Sequence, residues 1–246
     1  MTAGPRFLES GSHTAHGGTV DYRLGKLDEL GVIDREWLDC GCADGYYTVA
    51  LAERGAKRVV GVEALPQLVT EAASRPHPES VTFRHGFAEE LPFAADSFDG
   101  AILNEVLEHV TDEEAALSEL RRVLRPGGHL ALFSPNRWFP FEGHGARLDD
   151  ERVLMSRPVP LMPWLPERLT RRFATARNYW PRELRALVTG AGFEIVESGW
   201  ALAQFEQYPW LPRRTIEGYR RNVDKIERSP VARFLAVSTC IVACAR

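Results

Sequence analysis

Long apolar runs are missing from this 246-residue chain. The most apolar stretch, Phe234 to Ala245, is broken by Ser238 and Thr239. It falls short of the ~20 residues a membrane span needs and suits a buried strand, so no stable membrane insertion is expected. The polar start MTAGPRFLESGSHTAHGG lacks an apolar leader core, which predicts a cytoplasmic chain. Cysteine is scarce. The four residues fall as Cys40/Cys42 and Cys240/Cys244, without the Cys-x2-Cys spacing typical of zinc sites. Buried free thiols in a reducing compartment are the expectation. A surplus of positive charge is also absent. Thirty Lys and Arg against 34 Asp and Glu leave a formal charge of -4, so no nucleic-acid footprint is expected. No cluster of carboxylates compels a metal ion, and no internal repeat is visible.

What is present reads as an ordinary globular protein, with 44% hydrophobic and 26% charged residues. The length suits one domain with an elaboration. Residues 1–20 read as a flexible arm, and a short helical face follows from Tyr22 to Leu30. Trp37-Leu38 opens a strand that ends in a glycine-rich loop. Helices are expected over Tyr46 to Arg54, Leu68 to Ser74 and Asp112 to Leu124. Strands are expected at 58–62, 81–83, 98–103 and 129–133. This alternation predicts βαβ units, a parallel sheet and helices on both faces. The rhythm stops at residues 137–179, resumes with a helix at Pro181 to Gly190 and a strand at Phe193 to Val196, and stops again at 201–233. Long irregular segments in a compact domain are usually functional.

In an open α/β sheet, ligands bind beyond the carboxyl ends of the strands. The first βα loop here is Gly41-Cys42-Ala43-Asp44-Gly45. With Tyr46 next, it is not the dinucleotide pattern G-x-G-x-x-G, and no Gly-Lys-Ser/Thr follows to make a P-loop. Phosphate is therefore a poor guess. Glu63, ending the second strand, can accept hydrogen bonds from both hydroxyls of a ribose. The ligand reads as a nucleoside without phosphates.

Trp37-Leu38-Asp39-Cys40-Gly41-Cys42-Ala43-Asp44-Gly45 resembles motif I of class I methyltransferases that use S-adenosylmethionine (SAM). Glu63 matches the acidic residue of their motif II. Gly86 to Phe93 with Asp96 to Asp99, then Asn104 to Val110, then Leu124 to Gly128, continue the likeness in order, over roughly 35–136. The branch resembled is the small-molecule, quinone-biosynthesis (type 11-like) one. The resemblance implies a Rossmann-like, seven-stranded, mostly parallel sheet with helices on both faces. Its antiparallel seventh strand would lie at Thr239 to Ala245, in a domain spanning 21–246 whose irregular or helical substrate cap comes from the two inserts. It also implies SAM as cofactor. Asp39 would reach the methionine amino group, and Gly41 and Gly45 would let the cofactor lie on the backbone, with Cys42 and Ala64 beside it. Glu63 would hold the ribose, Phe87 and Ala88 would flank the adenine, and Asn104 would sit near the methionine end. Two positions depart from the family. Ala43 stands where glycine is usual, and Phe87 where aspartate is common.

Ser134 to Gly145 leaves the fifth strand beside the cofactor. It carries Glu142 and His144, the latter between two glycines. Imidazole titrates near neutral pH, so His144 is the candidate general base, with Glu142 orienting it or binding substrate hydroxyls. A solvated or structural His144 is the competing reading. His109 reads as a packing or capping residue at a helix start. His13 and His16 lie in the arm, which reads as disordered or as a cover over the cofactor that Tyr22 could join. Trp138, Trp164, Trp180, Trp200, Tyr208 and Trp210 suit a flat or lipid-like acceptor or the inserts' own core. The paired arginines 171/172, 213/214 and 220/221 suit an anionic acceptor or a solvated face. The expected function is methyl transfer to a hydroxyl of a small molecule or glycan by a monomer or homodimer, with no metal ligand assigned, the need for a divalent ion left open, and no nucleic acid. An N- or C-methyltransferase and a non-catalytic SAM-binding sensor stay open.

Overall fold

The computed structural model describes residues 17–147, 153–155, 159–170, 173–174, 176–203 and 212–246. Seven strands make the central sheet: β1 (Glu36–Cys40), β2 (Arg58–Glu63), β3 (Val81–His85), β4 (Phe98–Asn104), β5 (Leu124–Pro135), β6 (Phe193–Leu202) and β7 (Ala236–Ala245). Their order across the sheet is β6-β7-β5-β4-β1-β2-β3. All neighbours are parallel except β7, which runs antiparallel to both β5 and β6. The chain therefore reverses its winding direction between β1 and β4, the place where open α/β sheets bind ligands, at the strands' carboxyl ends.

The strands alternate side chains between two cores. On one face, Trp37, Val59, Ile102, Ala131 and Phe133 meet α1 (Gly17–Glu29) and α2 (Tyr46–Glu53) through Leu24, Leu27, Ala50 and Leu51. On the other, Leu38, Val60, Ala101, Leu103 and Leu132 meet Ala116, Leu117 and Leu120 of α4 (Glu113–Val123) and Leu184 and Val188 of α5 (Pro181–Gly190), with α3 (Pro66–Ser74) lying between β2 and β3 in sequence. Helix α4 shows why this segment is helical. Asp112 caps it by accepting from the Ala115 N–H at 2.9 Å, acids open it and Arg121 and Arg122 close it.

Several boundaries differ from the sequence expectation. Helix α1 begins at Gly17, inside the stretch read as an arm, and Val20 is buried. Strand β5 starts at Leu124 rather than His129, because the Pro126-Gly127-Gly128 turn forms a register shift against β4 with Gly127 at φ +78°. Strand β6 runs on to Leu202, since β7 pairs with it along its whole length through two register shifts. Residues 213–220, 223–227 and 232–235 are helical. All four cysteines are free thiols, and three are buried. No described helix is long and apolar enough to cross a membrane.

Candidate functional site

Strand β1 delivers Asp39 to the crevice and then turns sharply. The N–H groups of Gly41 and Cys42 both donate to the Val62 carbonyl, at 2.7 and 3.0 Å, which docks the loop on β2. Gly41 (φ +79°) and Gly45 (φ +82°) occupy the left-handed region. A Cβ on Gly41 would lie 2.3 Å from Val106 Cγ2, and one on Gly45 2.6 Å from Phe83 Cζ. Both glycines are thus required by conformation and by space. Ala43 also has positive φ, +46°, so the alanine here adopts a conformation that strains an L-residue.

That strained backbone does something specific. The Ala43 N–H donates to Glu63 Oε2 at 3.0 Å, and the Leu65 N–H donates to Oε1 at 3.1 Å. Glu63 is buried, so it is a fixed acceptor and not a solvated surface acid. Each carboxylate oxygen keeps a further lone pair for a ligand hydroxyl. Asp39 is buried too and accepts from Thr48 Oγ1 at 2.6 Å. Burial pushes its carboxyl up to about 7, against the Thr48 hydrogen bond and with help from the nearby Glu63 and Asp44 charges. Cys42 packs against Gly61, and burial holds its thiol well above the usual range. The Ala64 carbonyl accepts from His85 Nε2 at 3.1 Å. Phe87 is exposed, with His85 meeting it edge to face at 5.5 Å, and Ala88 is buried. Asn104 ends β4, and its side-chain carbonyl accepts from Arg23.

Arg23 is a member that sequence reasoning missed. It reaches from α1 across the crevice, pairs with Glu105 at 2.8 Å and donates to Ser238 at 2.9 Å. Glu105 itself sits at φ +55° and accepts from Ser238. Its only sequence cue is an arginine inside an apolar helical stretch beside Leu24 and Leu27.

A second pole lies beyond β4 and β5. Glu108 is buried and accepts from Ser134 Oγ at 3.0 Å through Oε2. Burial raises its carboxyl well above the ordinary range, and Glu105 adds to this. Glu142, also buried, accepts from the His144 N–H and from its Nδ1, both at 2.8 Å, and from Asn178 Nδ2. Burial alone would raise the Glu142 carboxyl, but the bonds and charge from His144 and the Asn178 amide hold it below the usual value. The structure brings His109 to the same place, its ring 5.0 Å from that of His144. His109 sits in a turn ahead of α4, its N–H on the Val106 carbonyl, rather than opening the helix as expected. Tyr179 anchors this pole by donating to Leu107 O and approaching Glu113 Oε1, each at 3.0 Å. Where the sequence suggested no metal, Glu108, His109 and His144 offer three ligand atoms within 4.8 Å of one another.

Other candidates lie elsewhere. Trp138 meets Trp180 and Phe234 edge to face, with Arg233 over its ring, so it packs within its own aromatic cluster. Arg213, Arg214 and Arg221 are exposed on the surface. Residues 13, 16, 171, 172, 208 and 210 lie outside the described residues.

Residues 38–132 match the family described as a methyltransferase domain. A Mycolicibacterium smegmatis protein described as a "probable S-adenosylmethionine-dependent methyltransferase" is 33% identical over 164 residues, covering 67% of this chain and 54% of that protein. The ubiquinone biosynthesis O-methyltransferase of Cereibacter sphaeroides is 38% identical over 104 residues, covering 41% of each. The chain thus spans about half the length of these curated relatives or less. A crystal structure of an S-adenosylmethionine-dependent methyltransferase from Mesorhizobium loti superposes with a TM-score of 0.60 at 16% identity, covering 92% of this chain and 97% of that one, a likeness of fold.

Proposed function

We propose that this chain, whose residues 38–132 form a methyltransferase domain of the SAM-dependent class, transfers the methyl group of SAM to a hydroxyl oxygen of a small-molecule or glycan acceptor. The observation that carries the cofactor reading is Glu63, fixed by the Ala43 and Leu65 N–H groups and turned toward the glycine loop. A ribose diol fits such an acceptor, and a pyrophosphate would be repelled by Glu63 and by ionised Asp39.

The residues fit the whole cofactor. The close approach at Gly41 and Gly45 suits a nucleoside lying on the backbone, and the buried acids suit a ligand that is positively charged at both ammonium and sulfonium. When bound, SAM supplies an electrophilic methyl carbon. Asp39 would hold the ammonium group and Glu63 the ribose hydroxyls. Ala64, Phe87 and Ala88 would border the adenine, Cys42 would back the loop, and Asn104 would lie at the methionine end.

The oxygen acceptor is supported by the second pole. Glu142 fixes the tautomer and direction of His144 through Nδ1, leaving Nε2 turned toward Glu108, beside the end of β4. An imidazole so held can take the proton of an acceptor hydroxyl as its oxygen attacks the methyl carbon. The test is turnover of methyl-labelled SAM against a panel of hydroxyl, amine and ring-carbon acceptors, with His144→Ala alongside. The expected result is hydroxyl methylation that falls ~100-fold or more in the variant while SAM binding persists. Methylation of nitrogen or carbon that survives His144→Ala would overturn the oxygen assignment. SAM binding without turnover of any acceptor would favour a sensor.

A further inference from the structure

We infer that Glu108, His109 and His144 form a binding site for a divalent first-row transition ion, placed to take the acceptor's hydroxyl oxygen. The inference rests on the reading of this pole as the place where that hydroxyl sits. Each residue offers one ligand atom, and the three atoms lie within 4.8 Å of one another. His144 Nε2 and Glu108 Oε1 are 3.9 Å apart, too far for a hydrogen bond yet within the span of two bonds of about 2.1 Å to a shared ion.

A second observation is independent of that spacing. Among the described residues Glu108 Oε1 is buried without a hydrogen-bond partner, although Oε2 is satisfied by Ser134. A buried carboxylate oxygen without a donor is costly unless a cation meets it. The third observation is Glu142. It grips both the backbone N–H and Nδ1 of His144 at 2.8 Å and is itself fixed by Asn178. Metal-ligating histidines are held in this way, with the second ring nitrogen bonded to a carboxylate that fixes the ring's direction.

The donor set also selects the ion. Two imidazoles and one carboxylate on one side leave coordination positions open, and they favour manganese, iron, cobalt or zinc over magnesium and calcium. The cluster adjoins the cofactor crevice, because Val106 in the same turn fills the space against Gly41. In the ion-free protein His144 takes the proton directly; with the ion bound it is a ligand instead, and His144→Ala removes hydroxyl methylation by either route. The hydroxyl oxygen binds the ion and its O–H bond breaks with the proton passing to bulk water. The oxygen then bonds the methyl carbon as the carbon–sulfur pair returns to sulfur.

The test uses the full chain stripped with a chelator and then titrated with Mn²⁺, followed by loss of the free-ion EPR signal, and with Zn²⁺ by calorimetry. One ion per chain is expected. His109→Gln and Glu108→Gln should each weaken binding at least 10-fold, and Glu142→Gln roughly 10- to 100-fold by releasing the His144 ring. Circular dichroism and SAM calorimetry on each variant separate a lost site from a lost fold. Neither ion binding, or binding that survives both His109→Gln and Glu108→Gln, would overturn the site. SAM binding and hydroxyl methylation by protein that takes up neither ion on titration sinks the inference but leaves the proposed function standing. A bound ion with no hydroxyl methylation sinks that function and leaves the site.

Discussion

Replacing Gly41 by alanine tests the link between the cofactor loop and the turn that carries the second pole. Two costs add. At φ +79° a Cβ meets its own backbone, for about 1–2 kcal/mol. The same Cβ would lie 2.3 and 2.9 Å from the two Cγ atoms of Val106, a β-branched side chain with little rotamer freedom. Overpacking of this kind costs about 1–3 kcal/mol. Gly41→Ala should therefore lose about 2–5 kcal/mol in urea denaturation. The steric part should vanish in a Val106→Ala background, giving a coupling of about 1–3 kcal/mol between the two sites, while the backbone part remains. A loss below about 0.5 kcal/mol, or one unchanged by Val106→Ala, would refute the reasoning.

Glu63→Gln should leave folding nearly intact, since its amide oxygen can still accept from one loop N–H, but should weaken SAM binding by ~10- to 100-fold in calorimetry. Ala43→Gly should relieve the strain at φ +46° and stabilise the fold by up to about 1 kcal/mol without weakening SAM, read as a rise in denaturation midpoint. Asp39 sets a pH dependence. Its folded value of about 7 lies above the ordinary 3.8, so the ligand-free fold is favoured at low pH and loses stability as pH rises from about 4 to about 7. Asp39→Asn should flatten that slope. Because an ammonium group prefers the ionised carboxyl, SAM affinity should fall by up to tenfold for each pH unit below 7, measured by calorimetry with and without the substitution.

Much of the first half of the site was legible because its signals are local. Strand, glycine turn, helix and acid follow one another from Trp37 to Glu63, and each element's period and punctuation can be read without knowing the fold. Glu142 and His144 could be singled out for the same reason, being neighbours in one loop that leaves β5. What was missed is non-local. Arg23 looks like one more cation on a helix until the fold carries it to Asn104, Glu105 and Ser238. His109 and Glu108 sit in a motif that suggests packing, and only the fold brings His144 of the loop after β5 against them. The strain at Ala43 could be posed from the residue type, but its sign needed the backbone angle. The full length of β6 was hidden because Glu197, Ser198 and Gly199 break the alternation, and pairing with β7 overrides that weak local preference.

The central claim is that the loop at 39–45 and Glu63 hold a nucleoside sulfonium and not a dinucleotide. Titration calorimetry of the purified chain with SAM and, separately, with NAD tests it directly. One SAM molecule per chain with saturable heat, and no heat from NAD, is the predicted result. Saturable binding of NAD, or no binding of SAM by protein whose circular dichroism shows it folded, would contradict it.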